Sequence, residues 1–228
     1  MPPLVSIVIP VRNDATALAQ LLTQLTPGPD VEVIVSVGRP IDEATNGVRR
    51  QRPDVQWVES APGRGVQLNA GAAQATGDWL WFVHADSRLP AGWREAFREM
   101  ASAHERCVGG SFRFALDARA WQARLLEQLV AWRVAWLGLP YGDQGIFVRR
   151  PVFHSVGGFR PLPLMEDVEF VSRLKGQGRL RHLSLKMTTS ARRWEREGWF
   201  RRSAGNLWIL TMYMVGVSPQ RLARRYHG

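Results

Sequence analysis

The chain has 228 residues, 45% of them hydrophobic and 22% charged, enough to bury one good core within the size range where α/β proteins stay a single domain. Its one cysteine, Cys107, excludes an internal disulfide framework and a cysteine-rich metal knot, and fits a reducing compartment, the cytoplasm. The net charge is +10 and unevenly placed: residues 179–228 carry eleven Arg or Lys against two Glu, so an anionic partner such as a phosphorylated substrate, an anionic lipid or nucleic acid is expected on that side.

Residues 5–9 read as a first strand, since no Lys or Arg precedes them and Pro10 closes the run too early for an export signal. Asp14 can cap a helix that carries Leu18, Leu21, Leu22 and Leu25 on one side, stopped by Pro27, Gly28 and Pro29. A β-branched strand over 31–37, a helix over 42–51, a short strand over 55–58 and an Ala-rich helix over 66–75 follow. This alternation predicts a mostly parallel central sheet flanked by helices.

Five apolar residues, 79–83, then run into His84, Ala85, Asp86, Ser87 and Arg88. A fully buried strand ending in an ionisable loop is where an open α/β sheet places its ligand. Asp86 there can reach a metal or a phosphate, or simply cap the helix expected near Ala91.

Beyond Pro90 the spacing predicts a helix over 93–103, a strand over 108–115 and a long helix over 118–137. On that helix Trp121, Leu125, Leu129, Trp132 and Trp136 form a stripe expected to face the core or a packing surface. A strand over 145–149, a short helix opened by Pro151, a helix over 165–176 with acidic residues at its start, and two short strands over 180–185 and 186–190 complete the body. Residues 206–217 are apolar but too short to span a bilayer. Arginines and aromatics flank them, which fits either an amphipathic helix lying on an anionic membrane surface or a helix docked on the domain.

Seven motifs occur in order: SIVIPVRND at 6–14, GRGVQLNAG at 63–71, GDWLWFVHADSRLP at 77–90, YGDQGIFVRR at 141–150, GGF at 157–159, LMEDVEF at 164–170 and SARRWEREGW at 190–199. Together they resemble a family 2 glycosyltransferase with a GT-A fold, most closely the small bacterial single-domain subgroup whose genes lie near radical-SAM and selenium-associated genes. The resemblance covers almost the whole chain. It implies one domain over 1–228, with a nucleotide-sugar-binding half (1–90), an acceptor and catalytic half (91–198) and a basic, apolar C-terminal segment (199–228).

That family transfers a sugar from a nucleotide-diphosphate donor, usually with a divalent metal and inversion at the anomeric carbon. Carried over by position, His84 and Asp86 resemble its D-x-D signature and would hold Mn²⁺ or Mg²⁺, although the imidazole at 84 replaces a carboxylate and suits Mg²⁺ poorly. Pro10, Asn13 and Asp14 resemble the nucleoside contact after the first strand, where a turn and helix cap is the other reading. Arg64 and Asn69 would face the donor. Val37 stands where the family commonly has a base-reading Asp, so a UDP-sugar is the first donor to test rather than a settled one.

Glu166 and Asp167 resemble the family's acidic pair. Asp167 is the expected base, and Glu166 a cap, acceptor contact or ion-pair partner. Asp143 is the second candidate carboxylate, and Gln144 is expected beside it on the acceptor side. Arg192, Arg193 and Trp194 resemble a shortened Q-x-x-R-W motif that would neutralise the departing diphosphate and pack on the acceptor. Two alternatives remain open at this level: transfer onto a lipid-linked phosphate at the inner face of the cell membrane, and a non-catalytic nucleotide- or anion-binding module. Nucleic acid is the less expected anion, because no nucleic-acid motif accompanies the arginines.

Overall fold

A computed structural model describes residues 4–102 and 107–226; Ala103, the end of the predicted helix over 93–103, and residues 227–228 of the C-terminal segment lie outside them. The first half follows the expected alternation: β1 (Val5–Val11), α1 (Ala15–Leu22), β2 (Val31–Gly38), α2 (Glu43–Gln51), β3 (Gln56–Ser60), α3 (Arg64–Gln74) and β4 (Trp79–Phe82). The second half contains β5 (Ser87–Arg88), α4 (Trp93–Ser102), β6 (Cys107–Leu116), α5 (Trp121–Leu137), a 3₁₀ turn (Gly142–Gln144), β7 (Phe147–Arg149), α6 (Arg150–Ser155), α7 (Glu166–Lys175), β8 (Arg179–Thr189), α8 (Arg192–Glu197), α9 (Trp199–Met214) and α10 (Pro219–Tyr226).

All eight strands join one sheet in the order β3-β2-β1-β4-β7-β6-β8-β5. From β3 to β4 every pairing is parallel, whereas β7 runs antiparallel to both β4 and β6, and β5 antiparallel to β8. β6 pairs with β8 in parallel, so the sheet is mixed but mostly parallel as expected, with the antiparallel pairings confined to the short strands β7 and β5. Beyond β4 the strands no longer come with regular crossover helices, and antiparallel neighbours need none.

Side chains alternate across the strands. Trp79 and Trp81 enter one core with Phe97, Phe112 and Phe147, while Leu80 and Phe82 enter the other with Phe153, Phe159 and Phe170. Both faces of β4 are buried, which is why it reads as an unbroken apolar run. Trp81 lies 4.9 Å from Phe112 and Phe159 lies 4.2 Å from Phe170, ring contacts that lock the sheet to both layers.

Three further expectations are revised. Residues 180–185 and 186–190 form one strand, β8, whose register against β6 shifts between Ser111 and Arg113; that irregularity in an otherwise continuous pairing reads in sequence as a break. The segment 206–217 belongs in part to α9, which begins seven residues earlier and ends at Met214, whereas α4 starts at Trp93 as predicted. Ile209 and Leu210 of α9 and Leu222 of α10 pack into the second core, so these helices are docked on the body. No described helix is long and apolar enough to cross a membrane.

The α5 stripe is the third. Trp121, Leu125, Leu129, Trp132 and Trp136 are exposed, and the buried face is instead Ala123, Glu127, Val130 and Val134. Small residues let α5 approach β6 closely, and buried Glu127 accepts the Leu116 N–H at 2.8 Å and pairs with Arg124 at 2.9 Å. Both faces repeat at helical spacing, so periodicity alone could not choose between them.

Gly110 on β6 has no room for a side chain: a Cβ would sit 1.8 Å from the Arg181 carbonyl oxygen and 2.7 Å from Phe147. Gly110→Ala is expected to lose about 1–3 kcal/mol in urea unfolding through overpacking. Gly205→Ala, in open space on α9, should instead gain about 0.5–1 kcal/mol.

Candidate active site

The parallel strands β1 and β4 end side by side, with Val8 opposite Phe82, and their following loops carry Asn13 and Asp14 on one side and His84 and Asp86 on the other. Two-residue β5 pairs Ser87 with Thr189 at the end of β8, which brings Asp86 to the start of α8. That short strand had no signal in the sequence, yet it sets the site. The resulting cavity, about 200 Å³, is lined by Arg64, His84, Asp86, Asp143, Asp167 and Arg193, with Trp194 and Tyr141 beside them.

Asp167 is presented by an unusual turn. Met165, the residue before α7, has φ +64°, a left-handed conformation uncommon for a non-glycine residue, and lines the cavity itself. Asp167 Oδ2 accepts the Gly142 N–H at 2.8 Å, and Arg64 Nη2 lies 3.7 Å from the same oxygen. Glycine is required at 142, because a Cβ there would meet His84 Nε2 at 2.8 Å and Asp167 Oδ2 at 3.3 Å. Glu166, 2% exposed, pairs with Arg64 Nε beneath the cavity, the ion-pair role among those expected for it.

The electrostatics are those of a desolvated cluster. Burial works against the Arg64 charge, but Glu166 and then Asp167 outweigh it and hold the guanidinium above its ordinary value. Burial raises Glu166, with Arg64 opposing. Burial, then the Arg64 charge, pushes His84 down to about 3, so its imidazole is neutral at physiological pH. Burial also raises Asp86, against the pull of Arg193. Asp143 is pushed up to about 6 by burial, with Arg133 opposing, and its Oδ1 has no hydrogen-bond partner.

Other expected residues stand elsewhere. Asn69 does not line the cavity: its amide donates to the Phe159 carbonyl at 2.7 Å and accepts the Phe159 N–H at 2.9 Å, clamping the loop before α7. Gln144 is buried, donating to the Phe112 carbonyl and accepting from Tyr141 N and Arg133, so it scaffolds the turn rather than facing an acceptor. Asp14 caps α1 through the Ala17 N–H and lies 3.9 Å from Arg192, itself outside the lining but bonded to Ser190. Asn13 adopts φ +54° at the same corner as Pro10 and Asp14. Arg202, Asn206 and Ile209 of α9 form a wall that sequence reasoning missed, because nothing in their spacing shows that α9 folds back over the β-strand ends.

Among the described residues no group of three or more His, Cys, Asp or Glu is arranged to hold a metal ion. His84, a neutral imidazole, and Asp86, a carboxylate, both line the cavity and are the side chains there that could contribute to holding a cation. A divalent cation that takes its other ligands from substrate phosphates and water needs no more from the protein.

The profile of the family described as "Glycosyl transferase family 2" matches residues 6–162. The chain belongs to that family. No curated protein sequence matches it. Among solved structures, a mannosyltransferase from Pyrobaculum calidifontis in complex with GDP-Man and Mn²⁺ superposes with a TM-score of 0.67 at 19% identity, covering 100% of this chain and 69% of that one. Glucosyl-3-phosphoglycerate synthase from Mycobacterium tuberculosis, with Mn²⁺, UDP-glucose and phosphoglyceric acid, gives 0.60 at 17% identity over 90% of this chain and 78% of that one. For Staphylococcus aureus TarS residues 1–349 the values are 0.59 and 16%, over 82% of this chain, and the family member here spans 60% of that fragment. At these identities the likeness is one of fold.

The buried Asp143 carboxyl gives a test of the electrostatics. A carboxyl raised from 3.8 to about 6 binds its proton more tightly folded than unfolded, so its ionisation costs stability as pH rises through that window. Asp143→Asn is expected to be more stable than the parent above pH 6, on the order of 2 kcal/mol, with the advantage vanishing toward pH 4, as read from urea unfolding across pH.

Proposed function

We propose that this chain transfers a sugar from a nucleotide-diphosphate donor to an acceptor hydroxyl with inversion at the anomeric carbon. The observation that carries the reading is the meeting, in one cavity at the carboxyl ends of β1 and β4, of Asp86, the Arg64-anchored Asp167 and Arg193. Asp86, with His84 beside it, would hold a divalent cation, Mn²⁺ suiting the imidazole better than Mg²⁺; when bound, that cation supplies charge neutralisation on the diphosphate.

The rest falls to the side chains. Asp167 takes the proton of the acceptor hydroxyl as its oxygen bonds to the anomeric carbon, while the bond from that carbon to the diphosphate breaks and its electron pair leaves with the phosphate. The Gly142 N–H and Arg64 hold the Asp167 carboxylate in one orientation, which matters more for such a transfer than a large change in basicity. Arg193 on α8 offers a positive charge to the departing diphosphate, and Arg192, tied to Asp14, offers a second at the nucleoside side. Pro10, Asn13 and Asp14 are the proposed nucleoside edge, with the UDP-sugars first among donors. The Mn²⁺ and the UDP- and GDP-sugars in the similar structures support this choice of ligands. Within the family, the order of the sequence motifs supports a kinship with the small single-domain bacterial members.

Asp86→Ala should abolish Mn²⁺-dependent binding of the nucleotide sugar in calorimetry. Asp167→Asn should keep that binding within about threefold yet lose transfer and slow donor hydrolysis by 10²-fold or more, the usual contribution of a general base. If Asp143→Asn shows the larger loss, the base is Asp143.

A further inference from the structure

A second, apolar cavity of about 550 Å³ runs between α5 and α9, walled by Leu126, Leu129 and Leu137 on one side and Phe200 and Leu207 on the other. Its volume is in the range of small-molecule sites. Its inner end is the catalytic cavity itself, because Tyr141, Asp143, Trp194 and Asn206 line both. At that junction the polar atoms are not already engaged: Arg133 Nε, Asp143 Oδ1 and Trp194 Nε1 are buried with no hydrogen-bond partner. At the outer end Trp121 and Phe200 meet at 6.1 Å, and the exposed Trp132 and Trp136 continue the apolar surface along α5.

Exposed arginines stand at the start of α5, Arg119 and Arg124, the latter paired with Glu127; those of the C-terminal helices, Arg201 and Arg225, the latter stacked on Trp208 at 4.7 Å, line a separate cavity on another face of α9. Exposed aromatic and leucine side chains beside arginines are the chemistry of a surface that rests on an anionic lipid headgroup layer.

Building on the glycosyltransferase reading, we propose that the acceptor is an amphiphile whose hydrocarbon chain lies in the α5/α9 groove and whose polar head, carrying the attacking hydroxyl to Asp167, sets a second hydroxyl against Asp143 and Trp194 at the inner end of the groove. The exposed face of α5 seats the protein on the anionic bilayer from which that acceptor comes. A hydroxyl fits the junction better than a phosphate: it can donate to the Asp143 carboxylate and accept from the Trp194 indole N–H, whereas a phosphate would face the carboxylate. The α5 tryptophans then have a use that core packing does not give them.

The test uses the full chain and three probes: n-dodecyl β-glucoside below its micelle concentration, n-butyl β-glucoside and dodecyl phosphate, with binding of UDP-glucose, GDP-mannose and Mn²⁺ measured in parallel. Dodecyl glucoside should bind at least tenfold more tightly than the butyl compound and than dodecyl phosphate. Ala204→Trp, which fills the groove, and Leu129→Asp, at a half-exposed wall position that should leave folding intact, should each remove that preference. Trp132→Glu with Trp136→Glu should lose at least tenfold in co-sedimentation with phosphatidylglycerol vesicles, and the parent should not sediment with phosphatidylcholine alone. Equal binding of the butyl and dodecyl compounds overturns the proposal, as does tighter binding of the phosphate. So does a dimer in light scattering, abolished by the α5 variants, without vesicle binding. Nucleotide binding without chain preference would sink this inference alone; absence of both would sink the glycosyltransferase reading as well.

Discussion

The charge cluster of Arg64 with Glu166 and Asp167 is the constraint on which the rest of the site depends. It joins the first residue of α3, in the parallel half of the sheet, to the first turn of α7, in the mixed half. A buried carboxylate without its partner is strongly destabilising, so neither helix can move without exposing the other's charge to an apolar setting. With both ends fixed, the left-handed turn at Met165 presents Asp167 to the cavity and Glu166 beneath it, and Gly142 fills the narrow gap between Asp167 and His84. The cluster also sets the protonation of its neighbour: burial and the Arg64 charge keep the His84 imidazole neutral, the form a cation can use.

A second consequence is a division of the site by polarity. Toward β1 lie Asp86, Asp14 and the arginines of α8, groups suited to a metal-bound diphosphate. Toward α5 and α9 the lining turns apolar, with Asp143 at the boundary and only partly compensated by Arg133. On the proposed reading the donor and the acceptor approach from opposite sides of Asp167 and meet where water is least able to compete. The C-terminal helices, expected to be either docked or membrane-facing, are docked: Ile209 and Leu210 anchor α9 to the core while Phe200 and Leu207 line the groove.

Much of this was legible in the residues. The β-branched runs of β1 and β2, the unbroken apolar β4 and the cap at Asp14 follow from local rules, and they place the ionisable loop after β4 at the carboxyl ends of the parallel strands. What was not legible depended on partners distant in sequence. The Ser87 to Thr189 pairing joins residues a hundred apart and involves only two residues of β5, so it leaves no period to read. The α5 tryptophans matched a buried stripe as well as an exposed one, and the choice was made by Ala123, Glu127 and Val130, whose small volume and carboxylate suit the surface of β6. Asn69 and Gln144 are polar residues in the right neighbourhood whose amides are spent on backbone groups of Phe159 and Phe112, an outcome only coordinates reveal.

The most direct test of the account is a crystal structure of the protein with a nucleoside diphosphate and Mn²⁺, collected to show the anomalous signal of the metal. The account predicts one manganese peak within about 2.0–2.6 Å of an Asp86 oxygen, the bonding range of carboxylates to divalent cations. The diphosphate should lie between that peak and Arg193, with the nucleoside along Pro10, Asn13 and Asp14. A nucleotide bound away from the cavity, or none bound at millimolar concentration, would contradict it.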